Sequence, residues 1–171
     1  EKLGEIPEHV FDVGCPSVDA ILQVEDNPDI LNKFGLDKNF FIMLQHPVTS
    51  EVNDSKDQIT CTVDAIIQSG VNALIILPNN DAGFSKIIEK IKSTKLKYVD
   101  SLSIVDYVNL MKRCKALIGN SSSGIHETAT FNIPTINIGT RQQGRLRPNN
   151  VIDVGYNKNE ILNAINKCKN L

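Results

Sequence analysis

A chain of 171 residues, 41% of them hydrophobic, has the length and apolar content of one globular domain with a single substantial core. Its 18 basic and 20 acidic side chains leave a formal charge of −2, which gives no global reason to expect nucleic acid or an acidic membrane as partner, so any anion has to be held locally. No run approaches the roughly 18 apolar residues of a membrane span, and no basic-then-apolar leader is recognisable.

Taken in chain order, the opening "EKLGEIPEHVFDVGCPSVDAIL" starts on Glu1 and reads as a continuing chain, so a piece of a longer protein is expected. Val10 to Val13 is the first strand candidate and Phe40 to Gln45 the second. Ser55 to Gln68 has helical period, with Ile59, Val63, Ile66 and Ile67 on one face, and Gly70 fits a helix stop. Ala73 to Leu77 is the next strand. Phe84 to Lys92 repeats the helical scheme with Ile87, Ile88 and Ile91. Strands are then expected at Lys97 to Val99, Ala116 to Ile118, Thr135 to Ile138 and Val151 to Val154, with helices at Ile104 to Cys114 and Glu160 to Cys168. Cys15, Cys61, Cys114 and Cys168 are dispersed and form no CxxC pair. Neither a zinc site nor a disulfide framework is indicated, and buried free thiols in a reducing cytoplasm are expected.

Strands separated by helices need crossover connections, which makes the sheet mostly parallel and covered on both faces. The expected fold class is therefore α/β: a Rossmann-like, doubly wound domain occupying residues 1–171. Ligands of such sheets sit at the carboxyl ends of the strands, near the reversal of strand order. Four polar stretches fall at strand ends: "QHPVTSE", "PNNDAG", "GNSSSG" and "GTRQQGR".

Each stretch has a chemistry suited to an anion or a sugar. A helix expected to start near Ser122 or Ser123 would offer unpaired N–H groups and a partial positive charge, and small residues would let a phosphate approach. Ser121, Ser122 or Ser123 serves equally well as an N-cap, and no GxxxxGK[ST] loop is present. Glu127, about a turn further on, can accept two hydrogen bonds from a ribose diol. Arg141, Arg145 and Arg147 follow a strand end, where a guanidinium fork suits phosphate oxygens. His46, ahead of Pro47, can donate to phosphate or carry a proton. Asn79 and Asp81 read either as turn-formers or as contacts to sugar and base edges. His9, His46 and His126 have no metal-like spacing, so no metal and no cofactor are expected.

Beyond this reading, "DVGCPSVDAI", "LQHPVTSE", "LPNNDAG" and "LIGNSSSGIHETATFNIPTINIGTRQQGR", in this order, resemble the UDP-N-acetylglucosamine 2-epimerases. Pro47 after His46 is similar to the hydrolysing branch, which makes N-acetylmannosamine for sialic acid synthesis. The resemblance runs from Gly14 to about Asp153. It implies a two-domain glycosyltransferase-B-like fold of which this chain is the C-terminal, UDP-binding half. It further implies that His46 approaches the diphosphate and is the catalytic candidate of this half. Asn79 is then a sugar-nucleotide contact, Leu102 a backbone contact to uracil, Ser121 and Ser122 diphosphate binders, Glu127 the ribose carboxylate, and Arg141 a further nucleotide contact.

By the same resemblance the main acid/base carboxylates lie in an N-terminal half and a GDG-containing segment follows, both absent from this sequence. The isolated piece is accordingly expected to bind UDP weakly and turn nothing over. The whole enzyme is expected to be cytoplasmic, with a homodimer possible and neither membrane nor nucleic acid as partner. The competing readings are a UDP-sugar glycosyltransferase domain and a non-catalytic module that senses a sugar nucleotide. A receiver-like signalling domain fits less well, since Asp100 stands alone where an acidic cluster is required.

Overall fold

A computed structural model describes residues 4–170. Six strands form one sheet: β1 (Phe40–Leu44), β2 (Asn72–Ile76), β3 (Lys97–Val99), β4 (Leu117–Gly119), β5 (Thr135–Ile138) and β6 (Val151–Val154). Their order is β3-β2-β1-β4-β5-β6, and every neighbouring pair is parallel. The doubly wound expectation therefore holds, and the reversal of winding falls between β1 and β4.

Seven helices accompany the strands among the described residues: α1 (Pro16–Leu22), α2 (Ile30–Phe34), α3 (Ser55–Ser69), α4 (Phe84–Lys92), α5 (Ile104–Met111), α6 (Glu127–Thr130) and α7 (Lys158–Lys169). The pleat divides the core between the two faces of the sheet. Phe41 and Met43 of β1 point toward α3, α4 and α7, joining Ile59, Ile66, Ile87, Ile91 and Ile165. Phe40 and Ile42 point the other way, joining Ile30 of α2 and Leu110 and Met111 of α5. Each of these side chains leaves water almost completely, which stabilises the fold by about 1.5–3 kcal/mol apiece. Gly70 ends α3 in the left-handed region, as expected of a helix stop.

Three expectations fail. Val10 to Val13 is not a strand: the segment follows a 3-10 turn at Pro7–His9 and lies open, with Phe11 77% and Val13 83% exposed. It has β-forming residues but no neighbouring strand to bond to, since the sheet ends at β3 and β6. Ile67 faces solvent, because α3 buries the stripe through Ile59, Val63 and Ile66 against the sheet and Ile67 lies beyond its edge. Cys15 is exposed and Cys61 half-buried, so only Cys114 and Cys168 are buried thiols. Burial pushes the Cys114 thiol up to about 12.

Candidate active site

The turn between β4 and α6 brings the serine loop to the carboxyl edge of the sheet. Gly119 has φ of +136°, and a Cβ built there would fall onto the Leu44 carbonyl, so only glycine lets the ends of β1 and β4 come this close. The helix expected to start near Ser122 or Ser123 is a correction. Residues Ser122–Gly124 form a 3-10 turn, and α6, only four residues long, begins at Glu127. Ser121 is the N-cap, its hydroxyl accepting from Ser123 N–H at 3.3 Å. The backbone N–H groups of Ser121 and Ser122 have no protein acceptor among the described residues. A single turn lacks the aligned peptides of a macrodipole. What the loop offers an anion is individual donors.

Asn120 joins this loop to its neighbours, and sequence reasoning missed it. Its side chain is 1% exposed. Oδ1 accepts from His46 N–H at 2.7 Å, and Nδ2 donates to the His46 carbonyl at 2.8 Å. The Asn120 carbonyl accepts from Arg141 at 3.2 Å and from the Gln142 side-chain amide at 2.8 Å. One residue thus ties together the loops that follow β1, β4 and β5.

His46 is half-buried at the end of β1, with Pro47 after it. Its Nδ1 lies 3.2 Å from the donating N–H of Asn79 and 3.1 Å from Asn79 Oδ1, while Asn79 Nδ2 donates to Asp81 at 2.7 Å. Burial, then the positive charge of Arg141, lower the imidazole below its ordinary range; the Asn79 bond and the Asp81 charge oppose them. Nδ1 faces both a donor and an acceptor on Asn79: neutral His46 accepting from the Asn79 N–H carries its proton on Nε2, and neutral His46 donating to Asn79 Oδ1 carries it on Nδ1.

Two cavities flank the His46–Asn79 pair. One, of about 440 Å³, is mostly apolar and is bordered by Leu44, His46, Asn79, Leu102, Tyr107 and Ser123. The other, of about 590 Å³, is polar and is bordered by Pro47, Ser50, Glu51, Asp81, Thr140 and Arg141. His46, Asn79 and Leu102 therefore share one cavity and Arg141 lines the next. Ser121, Ser122 and Glu127 border neither of these two.

Glu127 carries a different mark. Its Oε2 is buried and has no hydrogen-bond partner among the described residues. Beside it, Tyr107 donates to Ser123 Oγ at 2.7 Å. Burial pushes the Tyr107 phenol well above its ordinary value, the Ser123 bond partly opposes this, and the Glu127 charge adds to it. Tyr107 was not legible as a site residue, because on α5 it reads only as part of an apolar stripe. Arg145 and Arg147 are engaged elsewhere: Arg145 lies 3.2 Å from His126 Nε2, and Arg147 pairs with Asp153 at 3.0 Å.

An all-parallel sheet in this order, with glycine- and serine-rich loops meeting at its reversal point, defines the doubly wound Rossmann-like class. Within that class, the family model for UDP-N-acetylglucosamine 2-epimerase matches residues 1–171, and the chain belongs to this family. It is 32% identical over 177 residues to the UDP-N,N'-diacetylbacillosamine 2-epimerase (hydrolyzing) of Legionella pneumophila, covering 99% of this chain and 47% of that protein. It is 36% identical over 174 residues to polysialic acid biosynthesis protein P7 of Escherichia coli, covering 96% and 44%. Among solved structures it is similar to the Methanocaldococcus jannaschii UDP-GlcNAc 2-epimerase in complex with UDP-GlcNAc and UDP, with a TM-score of 0.76 at 19% identity, covering 99% of this chain and 51% of that one. The chain spans about half the length of the curated relatives it matches.

Proposed function

We propose that these residues form the C-terminal, UDP-binding half of a hydrolysing UDP-sugar 2-epimerase, which converts UDP-N-acetylglucosamine, or a related diacetamido 6-deoxy sugar, to the free manno-configured sugar and UDP. The observation that carries the reading is Glu127 Oε2, a buried carboxylate oxygen without a partner among the described residues, five positions after the free N–H of Ser122 in the loop that Asn120 joins to His46 and Arg141. A ribose diol would satisfy that oxygen. The diphosphate would take the N–H groups of Ser121 and Ser122, Nε2–H of His46 and the Arg141 fork, and uracil would enter the apolar cavity at Leu102. The printed activity of the Legionella protein, a hydrolyzing 2-epimerase, supports the hydrolysing assignment, as does the resemblance carried by Pro47 after His46.

In that reaction the C2 proton is lost and UDP departs, giving a 2-acetamidoglucal; water then adds across the double bond, its hydroxyl going to C1 and a proton to C2 on the face opposite to the one that lost a proton, which gives the manno configuration. This half serves the departure. Negative charge accumulates on the diphosphate as the anomeric C–O bond breaks, and preorganised donors lower that barrier. Neutral His46 donates a hydrogen bond, and Arg141 supplies the fixed positive charge. Arrival of the diphosphate raises the affinity of His46 for a proton, which readies it to protonate the leaving group.

The test is twofold. Full-length protein incubated with UDP-N-acetylglucosamine is followed by proton NMR, and free N-acetylmannosamine and UDP are expected in equal amounts. Residues 1–171 alone are expected to bind UDP weakly and release no sugar. Intact UDP-sugar after prolonged incubation with full-length protein would overturn the enzymatic reading, and Ser122→Ala and Arg141→Ala variants with unchanged UDP affinity would overturn the site.

A further inference from the structure

Resting on the diphosphate reading, we infer that Asn120 is a positioning residue: it holds His46 in register with the serine-loop amides and Arg141, so that these donors meet one diphosphate at once. The geometry is specific. Its side-chain amide bonds both the N–H and the carbonyl of His46, at 2.7 and 2.8 Å, just past the point where β1 and β4 stop pairing. The β1–β4 ladder ends at Leu44 and Gly119, with Asn120 N–H reaching the Leu44 carbonyl at 3.2 Å. The Asn120 amide side chain takes over from there and carries the pairing one residue further, which fixes the backbone from which the imidazole projects.

The backbone of Asn120 does the same for the third loop. Its carbonyl receives Arg141 at 3.2 Å and Gln142 at 2.8 Å, and Gln142 is itself buried. A guanidinium anchored at one N–H keeps the rest of its fork free. His46, the serine loop and Arg141 are thus set relative to one another by a residue that need not touch the ligand. Asparagine suits the task because one side chain supplies an acceptor and a donor side by side, matched to a peptide edge. Aspartate keeps the acceptor for His46 N–H but sets an oxygen against the His46 carbonyl. Alanine leaves both His46 backbone groups unpaired in a half-buried place.

The experiment measures UDP affinity by calorimetry in the full-length protein for the unsubstituted form, Asn120→Ala, Asn120→Asp, His46→Ala and the Asn120→Ala/His46→Ala double variant. Far-UV circular dichroism and thermal melts establish that each is folded. Asn120→Ala is expected to weaken UDP about tenfold with His46 present and by less than about twofold with His46 absent, since positioning has no value once the positioned group is gone. Asn120→Asp, which retains shape and one hydrogen bond, is expected to stay folded and still lose affinity.

Equal losses from Asn120→Ala in both His46 backgrounds would show that Asn120 supports the fold in general and overturn the inference. So would an Asn120→Asp variant that binds UDP like the unsubstituted protein. Absence of UDP binding by the unsubstituted full-length protein is a separate outcome, which overturns the diphosphate reading and this inference with it.

Discussion

Glu127→Ala should move stability and affinity in opposite directions. In the free protein Glu127 Oε2 is buried without a partner, and an unsatisfied buried polar atom costs about 1–3 kcal/mol. No helix-dipole contribution offsets it, since α6 is a single turn of four residues. Removing the side chain should therefore leave the melting temperature of the free protein unchanged or raise it by roughly 2–4 °C.

Binding should suffer by contrast, because a hydrogen bond to a charged group contributes about 1.5–3 kcal/mol, or roughly 10- to 150-fold in Kd. The assay is calorimetric titration of full-length protein with UDP and with 2'-deoxy-UDP. The unsubstituted protein should prefer UDP, and Glu127→Ala should bring the preference close to unity, because the deoxy ligand has already lost one of the two hydroxyls that the carboxylate receives. A variant that melts lower, binds UDP normally and keeps its preference for the ribose would show that Glu127 is a structural carboxylate and refute the reasoning.

Two further outcomes follow from the same loops. Burial and Arg141 lower the free His46 imidazole, so the ligand-free protein holds it neutral at pH 7, and a bound diphosphate should raise it. UDP binding then takes up a proton, and affinity should gain as pH falls from about 8 to 6 by more in the unsubstituted protein than in His46→Gln, which retains only the titration of UDP itself; equal slopes would exclude His46 from the diphosphate. Gly119→Ala should cost more than about 3 kcal/mol in urea unfolding, since its backbone angle is poor for alanine and the new methyl has no space beside the Leu44 carbonyl; a change within about 0.5 kcal/mol would mean that the β1–β4 junction relaxes freely.

What could be read ahead of the coordinates followed from periodicity. Phe84–Lys92 matches α4 at both ends, and Ile87 and Ile91 are buried as their spacing predicts. The alternation through Phe40, Phe41, Ile42 and Met43 is that of a strand covered on both faces. Val10 to Val13 shows the limit of this signal, for β propensity describes a surface that needs a partner and cannot report whether one exists. Helices α1 and α2 were not anticipated; short and with few periodic positions, they depend on packing against α5.

At the site, loop chemistry pointed to His46, Asn79, Ser122, Glu127 and Arg141, because strand ends in a parallel sheet converge by topology. Asn120, inside the same "GNSSSG", did not stand out. Its partners His46 and Arg141 lie 74 and 21 positions away, and no local pattern encodes that. Tyr107 was hidden for a related reason, since its phenol reaches Ser123 across the fold from a helix whose neighbours are apolar. The serine stretch was over-read as a helix start. Gly124 sits where a Cβ would meet Thr135, and the chain tightens into a 3-10 turn to pass β5.

That single turn of α6 bears on how a product leaves. A long helix aimed at a phosphate exerts a field that cannot be switched off without unravelling the helix. In the proposed site the hold consists of separate contacts borne by different strands, each of which can be withdrawn by a small displacement of its own loop. On that proposal a nucleotide would be shed stepwise while the sheet beneath stays rigid, and its retention time would be a property of the loops that changes at single residues can tune.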